Sequence, residues 1–346
     1  MLQSAMQVDQ PFRKFYAKVM LFGEYSLLTG SRAVTIPWAG YSGQLRYGLE
    51  LPEKQKDSAR RSNSILRQFA SYLAGEAPHA SHDERQSANP GSEPHSMVSH
   101  LDINQFIKDL DKGLYFDSDI PTGYGLGSSG ALVAAVFDHY STLGVTSRHD
   151  MFPDEMKLLK QTLSIMENFF HATSSGIDPL SCYIGKPLQV HHDEAVVVEL
   201  PDHTAKSPGG FFLLDTKLTR QTGPLVEEFR KKHQQEWFSD FMRHIYTPTV
   251  NAAVEVLLEG DPEEMSEISY ILSHYQLMHF KEMIPVEFIP LWEKGLKTND
   301  YSLKLCGAGG GGYLLGFTKD YAAARKALLP KQIKKINDQL GMINYQ

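Results

Sequence analysis

The 346 residues are 42% hydrophobic, too many for one ordinary domain, so two domains are expected. The formal charge of −7, from 34 Lys+Arg against 41 Asp+Glu, comes without a clustered basic face and argues against nucleic acid as the main partner. Two cysteines, Cys182 and Cys306, exclude a disulfide framework and have no metal-ligand spacing, which points to the cytoplasm; the N-terminus has no apolar signal core, and no apolar run approaches the ~20 residues that span a bilayer.

In chain order, Phe15–Phe22 is an apolar, strand-like run ended by Gly23, and Ala33–Pro37 and Ser42–Leu51 predict two further strands. Ile65, Leu66, Phe69 and Leu73 line one face of a helix over Ser62–Ala74. From 75 to 100 the composition turns to Ser, His, Pro, Asp and Glu, which predicts a surface loop or flexible insert; its four histidines match no metal-ligand spacing. Helices are expected at Ser129–Leu143 and Glu155–His171. Gly209–Asp215 predicts the buried strand that begins a second domain. The pattern is then helical from Glu227 to Lys297, broken at Pro248, Gly260–Pro262, Pro285 and Pro290. Strands at Ser302–Leu305 and Tyr313–Phe317 and a helix from Tyr321 follow, so the class is α+β.

Four stretches carry chemistry. The first is P-T-G-Y-G-L-G-S-S-G (Pro121–Gly130), feeding the apolar run A-L-V-A-A-V. Glycines let a backbone approach an anion closely, and a helix that opens at serines presents unpaired N–H groups, so the unit reads as an anion cradle, most often for phosphate; tight turns and strand bends are the plainer alternative, against which the double serine and the following helix weigh. It lacks the G-K-[ST] of a Walker loop and the G-x-G-x-x-G of a dinucleotide fold. The second is E-N-F-F-H-A-T-S-S-G-I-D (Glu167–Asp178), where two carboxylates frame a small-residue loop. That arrangement suits a metal ligand and a proton acceptor in phosphoryl transfer; the plainer alternative is a surface Glu and a helix-capping Asp. The third is C-G-A-G-G-G-G (Cys306–Gly312) between apolar strands, where the glycines make sense if something approaches closely. The fourth is Lys18 inside an apolar strand, either snorkelling from an edge or held against an aspartate or a transferred phosphoryl group.

Together these blocks resemble the GHMP kinase superfamily, in order and over nearly the whole chain. The most similar branch is that of the mevalonate kinases, through Lys18–Leu28, Glu167–Asp178, D-T-K-L-T-R-Q-T-G-P-L-V (Asp215–Val226) and Lys304–Gly312. The resemblance implies a two-domain fold: an N-terminal α+β domain over 1–206 and a C-terminal ferredoxin-like α+β domain over 207–346, with the active site in the cleft between them. It implies ATP and Mg²⁺ as cofactors and a small-molecule alcohol as acceptor, with no nucleic acid or membrane partner and with a homodimer allowed. Asp178 would be the catalytic base and Lys18 its cationic partner. Gly123, Gly125, Leu126, Gly127, Ser128, Ser129 and Gly130 would cradle the nucleotide phosphates. Ser129 and Glu167 would hold the metal, and Glu24, Tyr25, Arg220, Thr222, Gly309 and Gly310 would form the acceptor side. Two departures concern the acceptor and the middle block. Tyr25 stands where mevalonate kinases usually carry His, and Ala172 and Ser174 stand where the middle block usually reads Gly and Pro.

Overall fold

The computed structural model describes residues 12–48, 51–76, 98–143, 151–171, 173–201, 208–219 and 222–336, with the backbone alone at Thr222. Most of the expected insert, 77–97, lies outside these residues, as do Arg220 and the 206/207 boundary.

The first sheet is antiparallel. β1 (Lys14–Phe22) pairs along β2 (Arg32–Tyr47), with Lys18 opposite Pro37. The opposite edge of β2 is shared: β4 (Leu188–His191) pairs with Arg32–Thr35 and β3 (Leu114–Ser118) with Gly43–Tyr47. β5 (Glu194–Val197) continues outward from β4. The two strands expected at 33–37 and 42–51 are therefore one sixteen-residue strand. Pro37 and Gly40 suggest a break, but register shifts in the β1·β2 ladder let a single strand bend through them.

α1 (Glu53–Leu73) starts a full two turns before the apolar pattern does, because its first residues are polar and exposed. It packs on β3, where Ser62 and Asn63 bond the backbone of Phe116 and Leu114. α2 (Ile103–Asp111) follows. α3 (Ser128–Tyr140) buries nine of its thirteen residues, as a helix apolar all round must, against the sheet and against α5 (Ile177–Ile184). α4 (Pro153–Glu167) covers both on the outside.

The second sheet has the order β7 (Ser302–Leu305), β8 (Tyr313–Thr318), β6 (Gly210–Asp215), β9 (Ile333–Lys335), all antiparallel. The chain runs from β6 through helices to the β7–β8 hairpin, then through α11 (Tyr321–Leu328) to β9, which is the expected ferredoxin-like βαββαβ arrangement. The helices after β6 are α6 (Thr222–His233), α7 (Glu236–Phe241), α8 (Thr247–Glu259), α9 (Pro262–His279) and α10 (Ile289–Thr298). The break expected at Pro290 is a helix start, with the proline in the first turn of α10, where its missing N–H costs nothing; the one expected at Pro248 is absent, because α7, a π turn at Met242–Tyr246 and α8 run on without a gap. No helix among the described residues is long and apolar enough to cross a membrane.

The two sheets meet through specific pairs. Lys334 on β9 donates to the hydroxyls of Tyr41 on β2 and Tyr313 on β8, each at 2.8 Å, and lies over the Trp38 ring. Phe22 packs edge-on against Phe211, and Arg32 pairs with Glu255 on α8.

Candidate active site

The glycine-rich segment 121–127 lies along the edge of β1 away from β2: the Lys18 N–H donates to the Leu126 carbonyl at 2.9 Å. Gly127, at φ 75°, is the residue from which α3 starts. Ser128 and Ser129 form the first turn, whose N–H groups have no partner within the helix, the kind of end that can receive an anion. A second helix opens at the same place. α5 begins after Gly176, and Asp178 occupies its first turn. The two helix ends touch because residue 130 is glycine; a Cβ there would lie 2.7 Å from the Asp178 carbonyl carbon.

Two carboxylates converge on this junction. Lys18 Nζ is 2.7 Å from Asp178 Oδ1; the lysine side chain is 4% exposed and the aspartate 34%. The lysine is thus neither snorkelling nor at large, and Asp178 keeps a face open. Glu167, at the end of α4, is buried, which rules out the surface reading. Its Oε1 accepts from Ser129 Oγ at 2.9 Å and its Oε2 from Ser174 Oγ at 2.5 Å. Burial first, and the negative charge of Asp178 second, push the Glu167 carboxyl up to about 7, against the hydrogen bonds from the two serines. His171 Nε2 also lies 3.2 Å from Ser129 Oγ. Cys182 Sγ faces the Gly127 carbonyl from behind, and burial raises its thiol well above the ordinary range.

No group of three or more His, Cys, Asp or Glu among the described residues could cage a metal ion. What the junction offers is a serine hydroxyl and a carboxylate oxygen. Such an all-oxygen set fits Mg²⁺, which usually keeps most of its ligands from waters and nucleotide phosphates.

The second glycine loop closes over the first. Gly312, at φ 69°, lies so near the phosphate loop that a Cβ would be 2.7 Å from Tyr124 Cα. Tyr124 in turn packs edge-on against Tyr313. The Gly312 carbonyl accepts from both the N–H and the hydroxyl of Thr216, which ties the 215–218 segment to this loop. Gly309 and Gly310 pack on the Met283 carbonyl, which the Gly310 N–H reaches at 2.7 Å.

Glu24 and Tyr25 follow β1. Glu24 is buried and paired with Lys304 of β7 at 2.6 Å. Burial raises the Glu24 carboxyl, against the attraction of Lys304. The network extends through Gln276, which accepts from Leu305 N–H and donates to Tyr246 in the π turn. Tyr25 sits at φ 56°, ψ −43°, a conformation that costs a non-glycine residue about 1–3 kcal/mol. Its ring stacks on Phe229 and Phe280, and its hydroxyl donates to the Ala308 carbonyl at 2.7 Å.

The structure therefore brings Lys18, Asp178, Ser129, Glu167 and the 123–130 loop to one place, with Gly309 and Gly310 in the loop that closes over it. Glu24 and Tyr25 lie at the junction of the two sheets. Arg220 lies outside the described residues, and the side chain of Thr222 with it. Sequence reasoning passed over Lys304, His171 and Ser174 as site residues. Lys304 carries the same signal as Lys18, a lysine inside an apolar strand. Ser174 was visible only as a departure from a proline.

Residues 97–186 match the family model for the GHMP kinases N terminal domain. Over the whole chain, the fold is similar to those of solved structures of low sequence identity. A crystal structure of L. major mevalonate kinase in complex with R-mevalonate is 16% identical, with 93% of each chain covered and a TM-score of 0.56. Lactococcus lactis galactokinase complexed with galactose is 17% identical, covering 91% of this chain and 87% of that one, with a TM-score of 0.56. Streptococcus pneumoniae phosphomevalonate kinase is 15% identical, covering 93% and 97%, with a TM-score of 0.54. No curated protein matches the chain in sequence.

Proposed function

From a chain that has the GHMP kinase fold and carries that superfamily's N-terminal domain, we propose an ATP-dependent kinase that phosphorylates a small alcohol, mevalonate first among the candidates. The observation that carries this reading is the Lys18–Asp178 pair, 2.7 Å apart with the aspartate partly open, set where two helix N-termini meet.

In this reading, the N–H groups of the α3 first turn and of the 123–130 loop bind the transferred phosphate's neighbours and hold them in line. Ser129 and Glu167 supply the oxygens that would hold Mg²⁺, which neutralises charge on the phosphates when bound. Asp178 accepts the proton of the acceptor hydroxyl. Lys18 fixes the aspartate by its ammonium group and keeps a positive charge beside the entering oxygen. Tyr124 and Gly312 exclude water where the loops touch. Two buried, free cysteines fit a reducing compartment, so the cytoplasm is the proposed location.

The choice of mevalonate rests on the Asp215–Val226 segment, which resembles the corresponding stretch of the mevalonate kinases. The test is turnover of purified protein with ATP and Mg²⁺ against mevalonate, phosphomevalonate, homoserine and sugars. Mevalonate should be the preferred acceptor. Turnover of another alcohol without mevalonate would remove the substrate assignment and keep the kinase; no turnover of any would remove both.

A further inference from the structure

We infer that Ser174 is a positioning residue for the metal-binding carboxylate: its hydroxyl holds Glu167 so that the other carboxylate oxygen stays beside Ser129. The inference rests on the kinase reading above and concerns a residue that stands where the resembling sequences have proline.

Ser174 Oγ donates to Glu167 Oε2 at 2.5 Å and accepts from the Gly176 N–H at 3.0 Å. A hydroxyl has one proton. A lone pair takes the Gly176 N–H, and the proton points at Glu167 Oε2. The other carboxylate oxygen, Oε1, accepts from Ser129 at 2.9 Å. Glu167 is thus gripped on both oxygens by serines from two different elements, and rotation about its last bond would break both contacts.

The serine itself is held on both sides. Its N–H donates to Asn168 Oδ1 at 2.8 Å, and its carbonyl accepts from Ser164 Oγ at 2.7 Å. Proline at this position could make neither the hydroxyl contacts nor the N–H contact. The loop between the carboxylates is stiffened by four hydrogen bonds, one of which ends on the proposed metal ligand. Groups that orient a metal ligand from behind typically change metal affinity by about 10- to 100-fold when removed.

The experiment measures binding of Mn²⁺ with a non-hydrolysable ATP analogue to the full-length chain, by electron paramagnetic resonance, alongside binding of the analogue without metal. Ser174→Ala should weaken Mn²⁺-dependent binding by about ten-fold or more and leave metal-free binding unchanged, while Ser174→Thr, which keeps the hydroxyl, should restore it. In a Glu167→Gln background, adding Ser174→Ala should cause no further loss, because its effect passes through that carboxylate. Equal Mn²⁺ binding by Ser174→Ala and wild type would overturn the inference, as would an additive loss in the double variant. A wild type whose nucleotide binding ignores Mn²⁺ would overturn the kinase reading and this inference with it.

Discussion

Two lysine–carboxylate pairs lie near one another around β1, and their chemistry is the same. Lys18–Asp178 spans 2.7 Å and Lys304–Glu24 spans 2.6 Å. They differ in what surrounds them. The first leaves its carboxylate side chain 34% exposed at the mouth of two helices; the second leaves its own 2% exposed, between the sheets, with a glutamine and a tyrosine extending the network. A carboxylate that is oriented and still accessible can take a proton from a bound hydroxyl. One that is oriented and sealed between the sheets is placed to hold two halves of a molecule together. Proximity of a lysine to an acid therefore says little about function until the open face is located.

The sharpest way to break this comparison is Asp178→Asn. It should lower kcat by roughly 10²–10⁴-fold while leaving nucleotide affinity nearly as it was, with a loss of stability because the buried Lys18 ammonium keeps only a neutral partner. Activity close to wild type would mean that the open pair is no more catalytic than the sealed one. Lys304→Met should do the reverse. Stranding Glu24 without its partner should cost about 3–5 kcal/mol of stability by denaturant unfolding, and pairing it with Glu24→Leu should recover most of that loss. If the single variant unfolds like wild type, the sealed pair holds nothing. Gly312→Ala probes the contact between the two glycine loops beside the first pair. A methyl at φ 69°, pressed on Tyr124, should shift the phosphate loop and destabilise the chain by about 1–3 kcal/mol, with nucleotide KM rising more than acceptor KM. The smallest effect belongs to Tyr25→Phe, which removes one hydrogen bond to Ala308 and keeps the ring stack. About 0.5–1.5 kcal/mol should be lost in unfolding experiments, with little change in kcat. A large fall in kcat would bring Tyr25 into the chemistry.

What was legible beforehand follows the range of the interactions involved. The helix after the first glycine loop, the β6 strand and the β7–β8 hairpin announce themselves through local residue type, and the structure has them where they were expected. The local signals of Pro37 and Gly40 divide β2 (Arg32–Tyr47) in two, whereas the pairing that overrides them comes from β1. The polar start of α1 had no apolar stripe to mark it. At the site, Lys18 stood out as a charge in an apolar run. Lys304 carried the same mark, but its partner Glu24 is 280 residues away, so nothing local tied the two together. Ser174 is harder still: its part depends on which oxygen of Glu167 faces it, a matter of tertiary geometry alone.

The cluster that joins β9 to β2 has a consequence for observing this molecule in solution. Trp38 is buried in the first sheet, with Tyr41 and Tyr313 edge-on to it and the Lys334 ammonium 5.6 Å from its ring centroid. Of the two other tryptophans, Trp292 is sealed in the second half and Trp237 is half exposed on α7. Any rotation that draws the second sheet away from the first withdraws that ammonium and wets the indole. In a chain whose Trp237 and Trp292 are replaced by Phe, a red shift of the remaining Trp38 emission would report separation of the halves, requiring no attached dye.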